Sequence, residues 1–235
     1  MLRQALRWVA LPLALLLALL AAPLSAVGPL RAAVVGRLAR LTLTAAGVRL
    51  QITGRPTQAA ALLVANHISW LDALALLAAM PSARLVAKRE VRGWPLIGAI
   101  AGANGTIFLD RSRPRSLTAS VADVARVLRS GTPVACFPEG TSWCGAAGGR
   151  FRPALFQSAV DAGVPVRPVT VRYRSAEAAT TAAAFVGADT LWASVRRVLA
   201  APDLCLQLTL GQALHPGEGA SRRSLARIAQ RQGVG

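Results

Sequence analysis

From residue 41 onward, short apolar runs alternate with longer amphipathic ones. The runs at 48–53 ("VRLQIT"), 61–65 ("ALLVA"), 84–88 ("RLVAK"), 106–109 ("TIFL"), 133–137 ("PVACF"), 166–172 ("VRPVTVR") and 204–210 ("LCLQLTL") are short and rich in branched residues, and they predict strands. Helical periodicity fills the intervals at 70–80, 115–130, 153–162, 189–199 and 221–231. In the second of these, Leu117, Val121, Val124 and Leu128 recur three to four positions apart and mark one buried face. Alternation of this kind predicts an α/β fold with a mixed, mostly parallel central sheet and helices on both faces. There is no internal repeat. The glycine-rich "GAAGG" at 145–149 is the stretch expected to be most flexible.

The first 45 residues follow a different pattern. Arg3 and Arg7 precede residues 8–30, which carry no charge and are enough to span a bilayer, although Pro12, Pro23 and Pro29 interrupt a clean helix. A cleaved signal peptide fits the basic start and the small residues near Ser25 and Ala26. A buried core helix would need a shorter run. A membrane anchor, either one helix or a helical hairpin with basic flanks, also accounts for Arg31, Arg37 and Arg40, which would rest against anionic headgroups. The expected organisation is therefore a hydrophobic membrane segment over 1–45 and a catalytic domain over 46–235.

Composition narrows the partners. A chain of 235 residues suits one large domain with an appendage, and a mean hydropathy of +0.45 is high for a soluble protein. The formal charge of +17 calls for a polyanionic partner. Aromatic residues make up only 5% of the chain, too few to stack bases, so anionic membrane lipid is expected and nucleic acid is not. Lys88 is the only lysine; arginine, the better bidentate phosphate ligand, supplies the rest of the positive charge. Cys136, Cys144 and Cys205 are odd in number and lack C-x-x-C spacing, which argues against a disulfide framework and a zinc site and favours reduced packing residues.

Candidate chemistry begins at "NHISWLD", residues 66–72, where a predicted strand gives way to a predicted helix. Ser69 and Asp72, three residues apart, form a variant of the helix capping box, and His67 then needs no role beyond the loop. The same residues permit a catalytic reading. The end of a strand in an α/β sheet opens into the crevice such folds use for ligands, and a histidine held there by a carboxylate is a general base with a fixed tautomer. "GTSWC" is not a nucleophile elbow, and G-x-x-x-x-G-K and H-E-x-x-H are absent. "GEGASR" fails the dinucleotide pattern at its last position. By elimination, the nucleophile is expected to belong to the substrate. His215, in the turn-rich "LHPGEG", reads as a surface residue.

"NHISWLD" resembles the N-H-x-x-x-x-D box of the glycerolipid and lysophospholipid acyltransferases. "GTIFLDR" (105–111), "FPEGTS" (137–142) and "VPVRP" (164–168) resemble that family's next three blocks, in the same order. The resemblance covers roughly residues 60–170. It implies that His67 takes the proton of an acceptor hydroxyl, that Asp72 orients it, and that the hydroxyl attacks an acyl thioester without a covalent acyl-enzyme. It also implies a phosphate contact at Arg111, and an acceptor site shaped by Glu139, Gly140 and Thr141. Lys88 is a further phosphate or solvent contact at the rim, and Pro165 part of the site wall. No metal or cofactor is implied, the acyl-CoA or acyl carrier protein thioester being a co-substrate. The expected reaction acylates a lysophospholipid, foremost 1-acylglycerol 3-phosphate, at the cytoplasmic face of the membrane. Many members that use that acceptor read F-P-E-G-T-R-S, whereas Ser142 stands here in place of the arginine. Arg150 and Arg152 are candidate replacements, and lyso-ornithine lipid is an alternative acceptor. A non-catalytic basic membrane-binding protein, and a secreted hydrolase if the N-terminus is cleaved, are the readings from other classes.

Overall fold

The computed structural model describes residues 2–26, 28–56, 59–110, 114–176, 178–217 and 220–234. Its strands are β1 (Arg49–Thr53), β2 (Leu62–Ala65), β3 (Arg84–Lys88), β4 (Ile107–Leu109), β5 (Val134–Cys136), β6 (Val166–Ser175), β7 (Ala178–Ala179) and β8 (Cys205–Leu210). They form one sheet in the order β1-β8-β6-β2-β5-β3-β4, with β7 paired to β6. From β6 to β4 every pairing is parallel, β6 and β8 run antiparallel, and β1 is parallel to β8. β2 and β5, at the centre, are buried at every position, which is why their sequences are continuous apolar runs without alternation. Full burial of a leucine such as Leu62 or Leu63 stabilises by about 1.5–3 kcal/mol.

Helices cover both faces. On one side α1 (Leu2–Leu20), α2 (Gly28–Ala45), α3 (Leu71–Ala79) and α7 (Leu191–Ala200) bring Leu11, Leu43, Leu76 and Leu199 against Leu63, Val171 and Leu208. On the other, α5 (Pro114–Arg129), α6 (Phe156–Ala162) and α8 (Arg222–Val234) bring Leu128, Phe156 and Leu225 against Leu62, Val64 and Val166. The seven strands predicted from sequence are present, with ends shifted by at most three residues. A helical turn over Arg89–Gly93 and the short helix α4 (Ile97–Ala103) were not legible. Pro95, Gly98 and Gly102 lower helix propensity there. Gly98 is required, since a Cβ at that position would meet Arg92 O at 2.2 Å.

The N-terminal segment is a pair of helices joined through residues 21–26. The stretch Arg3–Leu20 is long and apolar enough to cross a membrane. Leu11, Ala14 and Ala18 of α1 are buried, whereas Leu6, Val9, Leu13, Leu16, Leu17 and Leu20 are exposed. α2 packs along α3. The basic residues expected at headgroups are placed differently. Arg31 donates to Ser82 O at 2.9 Å and Asn104 O at 2.8 Å, and reaches Pro81 O and Ala83 O at 3.3 and 3.4 Å. Arg40 donates to Ala78 O at 2.9 Å. These carbonyls, at the ends of α3 and α4 and just after α3, need donors that the helices themselves do not supply, and they engage both guanidinium groups although Arg40 stays exposed. Arg37 is exposed. At the other end of the hairpin Arg7 donates to Leu199 O and Ala201 O at 3.1 and 2.8 Å.

Candidate active site

Strand β2 stops at Ala65, and Asn66 closes its end. The Asn66 amide donates to Val171 O at 3.0 Å and accepts from Val171 N–H at 2.7 Å, a two-point clamp onto β6. His67 therefore leaves the sheet at the carboxyl end of the parallel strands, where α/β folds open their ligand crevice. Its ring stacks on Phe137 with centroids 4.0 Å apart, and its side chain is 23% exposed.

Asp72, in the first turn of α3, is completely buried. Its Oδ2 accepts from His67 Nδ1 at 2.9 Å, Ile68 N–H at 2.6 Å and Ser69 N–H at 2.8 Å. Its Oδ1 accepts from the Tyr173 hydroxyl at 2.6 Å. Four donors and the positive end of a helix compensate the burial of this carboxylate. Because Nδ1 carries the proton shared with Asp72, Nε2 is the nitrogen left to accept one from a substrate. Burial and the adjacent Asp72 charge push the Tyr173 phenol well above its usual range, which keeps it a donor.

The cap and the catalytic arrangement turn out to share one carboxylate. Asp72 reaches back to Ser69 N–H, as a capping box requires. Ser69 Oγ sits 3.5 Å from Leu71 N, so the reciprocal half is weak, and α3 has no side-chain cap at Trp70.

The turn after β5 locks against this loop. Glu139 is buried; its Oε2 accepts from His67 N–H and its Oε1 from Gly149 N–H, both at 2.7 Å. Burial raises the Glu139 carboxyl above its ordinary value, and the two backbone amides oppose that rise. Glu139 thus ties the Gly149 segment to the backbone of His67. Gly140 turns the chain at φ +80°, a conformation that favours glycine, and its N–H donates to Phe137 O at 3.1 Å. Trp143 N–H donates to His67 O at 2.7 Å, and the Ser142 hydroxyl donates to Phe185 O.

A histidine bonded to a buried carboxylate and framed by backbone amides is an arrangement able to take a proton from a hydroxyl that attacks a second substrate. The sequence model of the family described as Acyltransferase matches residues 49–172, which contain all of these groups except Tyr173 and Phe185. The chain belongs to the acyltransferase family. A lyso-ornithine lipid O-acyltransferase of Pseudomonas aeruginosa is 35% identical over 82% of the chain and 73% of its own length. A 1-acyl-sn-glycerol-3-phosphate acyltransferase of Neisseria meningitidis is 38% identical over 58% of the chain, a match spanning about half (54%) of that relative. The fold is that of the crystal structure of the 1-acyl-sn-glycerophosphate acyltransferase PlsC from Thermotoga maritima, with a TM-score of 0.64 at 19% identity over 96% of this chain and 95% of that one.

Within this acyltransferase the expected residues are only partly brought together. His67, Asp72, Glu139 and Gly140 form one connected group, and Thr141 lies exposed on the same turn. Lys88 is exposed at the end of β3, opposite Leu109, two strand spacings or about 10 Å from β2 across the sheet. Arg111 lies outside the described residues. Arg150 and Arg152 are exposed, flanking the buried Phe151. Pro165 is not in the site wall: its carbonyl accepts from Leu62 N–H at the start of β2, the opposite end of that strand from His67. The glycine-rich loop 145–149 is tied at its far end, where Gly149 binds Glu139 and a Cβ would meet the Trp143 ring nitrogen at 2.2 Å. The three cysteines are free, and His215 is exposed. Tyr173 and Asn66 were missed as supports of the site. Tyr173 is the only tyrosine in the chain, and it shares the inward face of β6 with Val169 and Val171. A buried phenol on such a face needs a hydrogen-bond partner, and that was the available signal.

Proposed function

We propose that this acyltransferase moves a fatty acyl group from a CoA or carrier-protein thioester to the free hydroxyl of a lysolipid, foremost 1-acylglycerol 3-phosphate. The observation that carries the reading is the pair His67–Asp72 at the crevice end of β2, with Nδ1 engaged and Nε2 free to act. The acceptor hydroxyl gives its proton to Nε2 as its oxygen bonds to the thioester carbonyl carbon. The carbon–sulfur bond then breaks, and the departing thiolate takes the proton back from the imidazolium. Asp72 stabilises the cation between the two transfers. No acyl group is attached to the protein. Arg111 binds the acceptor phosphate as a bidentate partner, and Lys88 adds charge at the rim.

The enzyme works at the cytoplasmic face of the membrane, held by the exposed apolar face of α1 and by attraction of its net charge of +17 to anionic lipid. Lyso-ornithine lipid is the second acceptor to consider. Ser142 supplies no cation, and the Pseudomonas relative that matches over 82% of the chain acts, by its name, on that acceptor.

The test offers protein in vesicles a labelled acyl-CoA or acyl carrier protein, each with either acceptor, and uses His67→Ala as control. Histidine-dependent phosphatidic acid supports the first acceptor, and transfer only to the ornithine lipid supports the second. Transfer that survives His67→Ala would sink the mechanism.

A further inference from the structure

The described ion pairs match arginines on the surface with carboxylates: Arg89 with Asp110, Arg126 with Asp123 and Arg197 with Asp189. α8 is built otherwise. Arg223, Arg227 and Arg231 recur every four residues, so they lie in one ridge about 12 Å long on the exposed side of the helix. The helix contains no acidic residue, and none of the three arginines forms an ion pair among the described residues. Like charges at this spacing repel one another mildly, and an anionic partner laid along the ridge would turn that repulsion into attraction.

Two further observations select the anion. The ridge is wired to the catalytic turn: Gln230, one residue before Arg231, accepts from Phe151 N–H at 3.0 Å and donates to Gly149 O at 3.2 Å. Gly149 N–H is bound by Glu139, which also holds His67 N–H. Gln230 of α8 is thus joined to His67 through two intermediates, Gly149 and Glu139. α8 also packs on the face of the sheet opposite to α1 and α2, whose exposed leucines form the apolar surface of the molecule. With that surface in lipid, the ridge faces the aqueous phase.

We infer that the Arg223–Arg227–Arg231 ridge is the docking surface for an acidic carrier protein that presents the acyl thioester. The inference rests on the acyl-transfer reading and specifies its donor. Carboxylates on one helix of the carrier meet the ridge, and the extended thioester arm passes over the 149–152 segment to His67. Such an interface forms by charge complementarity and weakens as salt rises.

The test compares the full chain with Arg223→Glu/Arg227→Glu/Arg231→Glu and with the corresponding triple glutamine variant, in vesicles of phosphatidylglycerol and phosphatidylcholine. The donors are palmitoyl carrier protein and palmitoyl-CoA. Reversing the charges is expected to raise KM for the carrier about tenfold or more, with a smaller rise for the glutamine variant. Kinetics with palmitoyl-CoA and vesicle association stay at wild-type values, which also shows that the variants fold. Equal losses with both donors, loss of vesicle association, or an unchanged KM for the carrier would each overturn the inference. If the wild type transfers from neither donor, the acyl-transfer reading fails, and calorimetric titration with palmitoyl carrier protein decides separately. Binding that the charge reversal abolishes sustains the docking surface, and absent or unaffected binding removes it.

Discussion

Tyr173 donates its hydroxyl to Asp72 Oδ1 at 2.6 Å across a sequence separation of 101 residues, inside the core. A strand on the far side of the clamp at Asn66 thus fixes the carboxylate that holds His67. Tyr173→Phe removes the one donor that the described residues give that oxygen and leaves a buried acceptor. The expected loss is about 1–3 kcal/mol of stability, read by urea unfolding, together with reduced turnover. A variant as stable and as active as the wild type would show that the bond carries nothing.

His67→Ala is expected to lower turnover on the order of 10²–10⁴-fold, the usual contribution of a positioned general base. Asp72→Asn keeps the size and most hydrogen bonds but removes the charge that stabilises the imidazolium. Its rate should fall while its unfolding midpoint moves little. Because Asp72 also accepts from Ile68 and Ser69 at the start of α3, a large midpoint shift would assign the loss to the helix terminus instead.

Glu139 gives a pH dependence whose sign follows from burial. Its folded carboxyl titrates above the unfolded one, so the stability it contributes is present in acid and is lost as pH rises through the raised folded value. The stability of the wild type relative to Glu139→Gln should fall over that window and then level off. Asp189 runs the opposite way, since its hydrogen bond from Arg197 lowers its carboxyl, and its contribution is lost as pH falls. Unfolding of the wild type, Glu139→Gln and Asp189→Asn from pH 3 to 7 separates the two.

Ser142→Arg tests the acceptor. The substitution breaks the hydroxyl bond to Phe185 O and introduces the arginine of the F-P-E-G-T-R-S pattern that the segment resembles. The ratio of rates on 1-acylglycerol 3-phosphate and lyso-ornithine lipid should move toward the phosphate acceptor. An unchanged ratio would locate headgroup choice elsewhere, with Arg150 and Arg152 next to be replaced.

Gly149→Ala should destabilise by about 1–3 kcal/mol, because its Cβ would overlap the Trp143 ring and displace the amide that binds Glu139. Thermal unfolding of this single variant checks it.

How much of this was legible depended on distance along the chain. The strands showed because fully buried runs such as 62–65 and 134–136 leave no polar position to confuse them. His67 and Asp72 showed because five residues hold the whole relationship. Tyr173 did not, since nothing in "VTVRYR" tells which carboxylate its inward side chain will meet. Pro165 was assigned to the wrong end of a strand because the order of motifs along a sequence does not say at which edge of the sheet each one lies. Arg31 and Arg40 looked like headgroup contacts because the carbonyls that claim them belong to chain ends only folding reveals.

The hooks at Arg7 and Arg31 have a mechanical meaning. They fasten the first two helices to the rest of the chain at widely separated points, and α2 lies along α3, whose second residue is Asp72. The hairpin is therefore fastened along its length rather than hung from a tether: it rests on the very helix whose first turn carries the carboxylate bonded to His67.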